Sequence, residues 1–172
     1  MCHKIRTPQL EQTIEHARKA AVRFGHPCVS SVHLVLGLLM GGRGVAAILG
    51  SVGVTRDATE EYLAGRSLRA EQTQQEGDIL FGTSAMLALN RAENARQSGP
   101  PRCRFVGTDH LLLALCHEKA GNACDLFEEH KVDRAQMRQL LNAKLAEPWP
   151  PDFERVIDDI ESLLNEVDER KD

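Results

Sequence analysis

The sequence predicts an all-α fold of two tandem four-helix pseudo-repeats, and three observations carry that prediction. Apolar and small residues recur at three- and four-residue spacings along most of the chain, Gly- and Pro-containing breaks separate those stretches, and one segment is written twice. Ser31-Val32-His33-Leu34-Val35-Leu36-Gly37-Leu38 returns as Thr108-Asp109-His110-Leu111-Leu112-Leu113-Ala114-Leu115, an offset of 77 residues. The same offset carries Gly44 onto Gly121, Ala46 onto Ala123 and Leu49 onto Leu126, after which a one-residue insertion brings Val54 onto Val132. The matched residues are of the kinds that pack or turn, so the period marks a duplicated structural unit.

Repeat 1 spans about residues 5–64. Thr7-Pro8 is a capping residue followed by the imino acid that suits a first helical turn, and Leu10, Ile14, Ala17, Ala21 and Phe24 then line one helical face. Gly25-His26-Pro27 ends that helix. Ser31 is read as the N-cap of an apolar helix running to Met40, Gly41-Gly42-Arg43-Gly44 as a turn, Val45 to about Ser51 as a short helix, and Gly53-Val54-Thr55 as the start of a fourth. Repeat 2 spans about residues 81–145 in the same order. Ala85, Leu89, Ala92 and Ala95 line its first helix, Gly99-Pro100-Pro101 breaks it, and Thr108 is read as the cap of a run to about Glu118. Gly121 opens a third helix ending near His130, and Asp133 with Gln136 reads as a capping box for a fourth that buries Met137, Leu140, Leu141 and Leu145.

Between the repeats, residues 65–80 are polar and read as an exposed linker. Residues 146–153 hold Pro148, Pro150 and Pro151 around Trp149, a semi-rigid break. The final segment, 154–172, is expected to be an acidic amphipathic helix, because Val156, Ile160, Leu163 and Val167 recur at helical spacing. That stripe suits either packing back on the domain or a seam for another helix, self-association included. About two heptads are too few for a stable coiled coil alone.

Composition narrows the function classes. The net charge of −4 is uneven, with −6 in residues 151–172 and +2 in the remainder. Neither part is basic enough to point to nucleic acid, and one Trp and one Tyr offer no stacking platform for bases. No apolar run approaches membrane-spanning length, and no secretory leader pattern opens the chain, so the expected address is cytoplasmic with no membrane partner. Cys2, Cys28, Cys103, Cys116 and Cys124 form no C-x-x-C pair and are read as reduced thiols, with no metal site and no cofactor expected.

The duplicated residues resemble the amino-terminal repeat domain of the Clp-type AAA+ unfoldases, especially the ClpC branch. The likeness rests on Thr7, Gly25-His26, Ser31-Val32-His33-Leu34, Gly37-Leu38, Gly42-Arg43-Gly44-Val45-Ala46-Ala47 and Gly53-Val54 in the first copy. In the second it rests on Val106-Gly107-Thr108-Asp109-His110-Leu111-Leu112, and in all it covers about residues 5–145. It implies a non-catalytic module that binds substrates or adaptors and hands them to an unfoldase ring coupled to a protease, so that the expected partners are a Clp ATPase or protease, adaptors and degradation substrates. No G-x-x-x-x-G-K-[ST] occurs, which leaves an excised domain and a free-standing protein of this fold both open. The segment Ile160 to Glu166 looks like the start of a UvrB/UvrC-type helix.

In ClpC-type domains the acidic residue before the His and the Thr opening each repeat are implicated in binding phosphorylated arginine. A carboxylate can pair with the guanidinium while hydroxyls and helix N-terminal N–H groups receive the phosphoryl group. Carried over by resemblance, copy one keeps Thr7 but has Val32 at the carboxylate position. Copy two has Asp109 beside Thr108, with Thr83 or Ser84 as its threonine partner. The resemblance therefore implies at most one degenerate pocket, in repeat 2. Without a ligand, Asp109 has an ordinary use in a first helical turn, where a carboxylate offsets the helix dipole. His33 and His110 are read as hydrogen-bonded, partly buried histidines and, with Gly44 and Gly121, as the structural signature of each repeat. The competing class is a small-molecule sensor, or a metal- or His-dependent enzyme, using the cleft between repeats.

Overall fold

The computed structural model describes residues 6–41, 43–66, 79–98, 105–117 and 121–146. These form α1 (Pro8–Arg23), β1 (Cys28–Val29), α2 (Ser31–Gly41), α3 (Arg43–Ser51), α4 (Arg56–Ala64), β2 (Leu80–Phe81), α5 (Thr83–Ser98), α6 (Thr108–Leu115), α7 (Asn122–Glu129) and α8 (Arg134–Ala146). The all-α reading holds. Among the described residues no single helix is long and apolar enough to cross a membrane.

α1 begins where the sequence places it. Thr7 is extended, its Oγ1 accepts from the Leu10 N–H at 3.2 Å, and Pro8 occupies the first helical position, where no backbone N–H is needed. Its buried face packs most extensively on α2, the most apolar of the described helices, in which every residue from Ser31 to Leu38 is buried. Gly37 permits that approach, since a Cβ there would overlap the Thr13 carbonyl oxygen. Leu34, Leu36 and Leu38 on α2, Leu111, Leu112 and Leu115 on α6, and Leu126 and Phe127 on α7 are all essentially inaccessible to solvent. One core thus joins the two repeats.

The repeats dock crosswise. The start of α1 lies beside the start of α6, where the Thr7 N–H donates to the Val106 carbonyl at 2.9 Å and Arg6 and Val106 form a parallel bridge. The start of α5 lies beside the start of α2, where the Gly82 N–H donates to Val29 O at 2.9 Å and β1 pairs in parallel with β2, Cys28 opposite Leu80 and Val29 opposite Phe81. Ser31 completes this joint. Its N–H donates to Ser84 Oγ at 3.1 Å, and its own Oγ accepts from the Ala123 N–H at 3.0 Å.

Several expectations are corrected. Ser31 and Thr108 are first helical residues rather than caps. Gly107 is the N-cap of α6, and the Ser31 hydroxyl serves the joint instead. The anticipated Gly41 to Gly44 turn is largely helical, since α2 runs through Gly41 and α3 begins at Arg43. The end of the polar stretch 65–80 is not exposed linker throughout: Ile79 is buried, its carbonyl accepts from Arg18 Nη1 at 2.9 Å, and Leu80 opens β2. Leu140 is 61 % exposed, because α8 buries only Met137 and Leu141. Residues 67–78, the Pro-rich break, and the stripe of Val156, Ile160, Leu163 and Val167 lie outside the described residues.

Candidate functional site

The backbone bonds of the joints fix which residues of the two repeats correspond. Thr7 N–H to Val106 O matches Gly82 N–H to Val29 O, so Gly82 stands where Thr7 does. Leu10, Ala17 and Ala85, Ala92 then align as buried positions of α1 and α5. Thr83 is one residue further on, exposed in the first turn of α5, and is not the counterpart of Thr7. Ser84, the alternative partner, is held at the Ser31 joint.

Crosswise docking also exchanges the partners. Thr7 belongs to repeat 1 but sits against the start of α6, where a Cβ on Gly107 would lie 3.7 Å from Thr7 Cγ2 and 3.9 Å from Thr7 Oγ1. Thr7 therefore lies by the cap of the helix that carries Thr108 and Asp109 in its first turn, in the other repeat. At the corresponding joint of the other pair, Gly82 replaces the threonine and Val32 replaces the carboxylate. Val32 is fully buried.

Asp109 has a partner that sequence reasoning missed. Lys144 Nζ, from the last turn of α8, lies 3.0 Å from Asp109 Oδ1, and both side chains remain partly open to water. A half-exposed pair of this kind contributes roughly 0–1 kcal/mol and exchanges readily for another cation. Thirty-five residues separate the two, so neither periodicity nor a local motif could have signalled the contact.

The two signature histidines cap their helices in the same way. His110 Nδ1 accepts from the Gly107 N–H at 3.1 Å, and His33 Nδ1 accepts from the Ser30 N–H at 2.9 Å. Burial lowers the pKa of His110. His33 is pushed down to about 3, first by burial and then by the neighbouring His26. Since His33 Nδ1 is an acceptor, its proton sits on Nε2, which donates to His26 Nδ1 at 2.7 Å. His26, itself lowered by burial, passes the chain on to the Arg66 backbone. Both ring nitrogens of His33 are thus engaged in structure, leaving neither to ligate a metal or activate a nucleophile. His26, read from sequence only as part of a helix-ending turn, is what links the α1 turn to the end of α4.

Gly121, the other signature residue with a defined task, has φ +66° and a Cα so close to Ser84 that an added Cβ would lie 2.5 Å from the Ser84 Cβ. Gly44 in α3 is exposed and faces Lys144 Nζ, 3.7 Å from where its Cβ would be. Cys116 is a core thiol, pushed up to about 12 by burial and donating to Met137 Sδ at 3.2 Å.

Comparison with known proteins places this architecture. The sequence model of the Clp repeat (R) N-terminal domain matches residues 6–100, more than half of the chain. The ATP-dependent Clp protease ATP-binding subunit ClpC of Staphylococcus epidermidis is 27 % identical over 147 residues, covering 83 % of this chain and 17 % of the relative. A probable ATP-dependent Clp protease ATP-binding subunit of Chlamydia pneumoniae is 27 % identical over 134 residues, covering 77 % and 16 %. The chain therefore spans about a sixth of the length of these curated relatives. Among solved structures, the N-terminal domain of ClpD from Arabidopsis thaliana superposes with a TM-score of 0.68 at 22 % identity, covering 86 % of this chain and 98 % of that one. The Hsp104 N-terminal domain from Candida albicans gives 0.68 at 15 %, covering 83 % and 93 %. The duplicated sequence, the shared all-α fold and the family match together make this chain a member of the Clp N-terminal repeat family, of the ClpC-like kind.

Proposed function

We propose that the domain is a non-catalytic docking module of a Clp unfoldase-protease system, and that it holds a single phosphoarginine-type site formed by Thr7, Thr108 and Asp109. The observation that supports this reading is the position of Thr7 beside Gly107, the N-cap of α6, two residues before Asp109 in the first turn of that helix. A guanidinium displaces Lys144 from Asp109 as one charge-assisted contact replaces another. The released ammonium, the two hydroxyls and the α6 N-terminus then receive the phosphoryl oxygens. Val32 and Gly82 supply neither a carboxylate nor a hydroxyl at the other joint, so stoichiometry is one.

Calorimetry with free phosphoarginine should give one site per chain, abolished by Asp109→Ala and weakened several-fold by Lys144→Met. Two equivalent sites, or none, would sink the assignment. The wider reading is tested by pull-down at physiological salt with the tagged chain, which should recover a Clp ATPase, its protease, an adaptor or degradation substrates. Recovery of none of these counts against it.

A further inference from the structure

At the joint lacking Asp109 and Thr7 equivalents, the chain carries an apolar cavity. It measures about 200 Å³ and is bordered by Pro27, Cys28, Val32, Tyr62 and Leu63, with the His26 and His33 rings on one side. Tyr62 and Arg66 also line a wider surface groove of about 540 Å³, bordered by Glu61 and Glu129, so the two hollows meet at the same pair of side chains.

The geometry points to this cavity as a binding pocket for one apolar side chain of a peptide whose following residues are basic. Three observations select that occupant. The volume falls below the roughly 300–1,000 Å³ of common small-molecule sites, which suits a single aliphatic or aromatic side chain. The lining has exchanged the carboxylate of the sister position for Val32, so a cation entering it would be desolvated without a counter-charge. Beyond the mouth, the Arg66 guanidinium lies over the Tyr62 ring, 3.7 Å from its centroid, while Glu61 and Glu129 border the groove and Asp125 is close enough to act on the Tyr62 hydroxyl. Among the described residues, three exposed carboxylates against one guanidinium favour a basic flank. The same balance disfavours the chain's own acidic residues 151–172, which carry −6.

The test is an NMR titration of the full 172-residue chain with short blocked peptides. Acetyl-Leu-Lys-Lys-amide should produce saturable shifts at the Val32, Tyr62 and Leu63 amides that weaken as salt is raised. Acetyl-Asp-Lys-Lys-amide and acetyl-Leu-Glu-Glu-amide should each bind at least about fivefold more weakly, the first for want of an apolar anchor. Val32→Leu, which adds bulk at a fully buried wall of the cavity without adding charge, should reduce affinity by a similar factor when measured well below its melting temperature, which overpacking lowers. The proposal is overturned if the leucine peptide causes no shifts at these amides, if the three peptides bind alike, or if Val32→Leu leaves binding unchanged. Phosphoarginine added to the same sample reports on Thr7, Thr108 and Asp109, so failure of either site is read separately.

Discussion

At the residue scale, His33 shows how a titratable group becomes structural. Its ring accepts from Ser30 on one side and donates to His26 on the other, and this arrangement exists only while both rings are neutral. Both histidines have folded-state pKa values below the ordinary 6.5, so the unfolded chain binds more protons as pH falls and stability falls with it. The stabilisation is complete above pH 6.5 and is lost progressively toward pH 3. At pH 5 the His33 contribution to that loss is about 2 kcal/mol. Urea titrations at pH 7.5 and pH 5.0 should show the drop, and His33→Gln should flatten most of the dependence. An unchanged pH profile in that variant would assign the effect to other groups. The role of His33 as a bonded, buried residue was legible from its place beside a helix start. Its partner was not, because His26 lies in a break where no helical periodicity relates it to α2.

At the element scale, α8 separates what periodicity can say from what packing decides. Met137, Leu140, Leu141 and Leu145 share a spacing that reads as one buried stripe, yet α8 is peripheral and meets the core along a narrower strip. Leu140→Gln should therefore change stability by no more than about 0.5 kcal/mol. Leu141→Ala should cost about 2–5 kcal/mol, as expected for a side chain with no solvent exposure. Comparable losses from the two substitutions in chemical denaturation would mean that α8 is more deeply covered than described. The helix N-termini were misplaced for a related reason. Ser31 and Thr108 have good capping side chains, but Ser31 is drawn into the joint with Ser84 and Ala123, and Gly107 serves as the extended cap residue of α6.

At the scale of the molecule, the crosswise joints make the two repeats one structure. α1 closes on α6 and α5 on α2, and the apolar face of α2 is shared with helices of both halves. Neither half buries a comparable core alone. Thermal unfolding of the full chain should be a single transition, and residues 1–66 expressed alone should show little helical circular dichroism until mixed with residues 67–172. An independently folded half would contradict the shared core. The sequence by itself determined the order of the described helices, the duplication and the pairing of Val32 with Asp109 across the repeats, because these are written in spacing and residue type within short windows. That Thr7 meets the cap of α6, that Lys144 pairs with Asp109, and that Val32 borders an apolar hollow were decided only by the tertiary structure. Those relations join residues from different repeats, and the chain specifies them through backbone pairing and shared burial, which leave no local pattern to read.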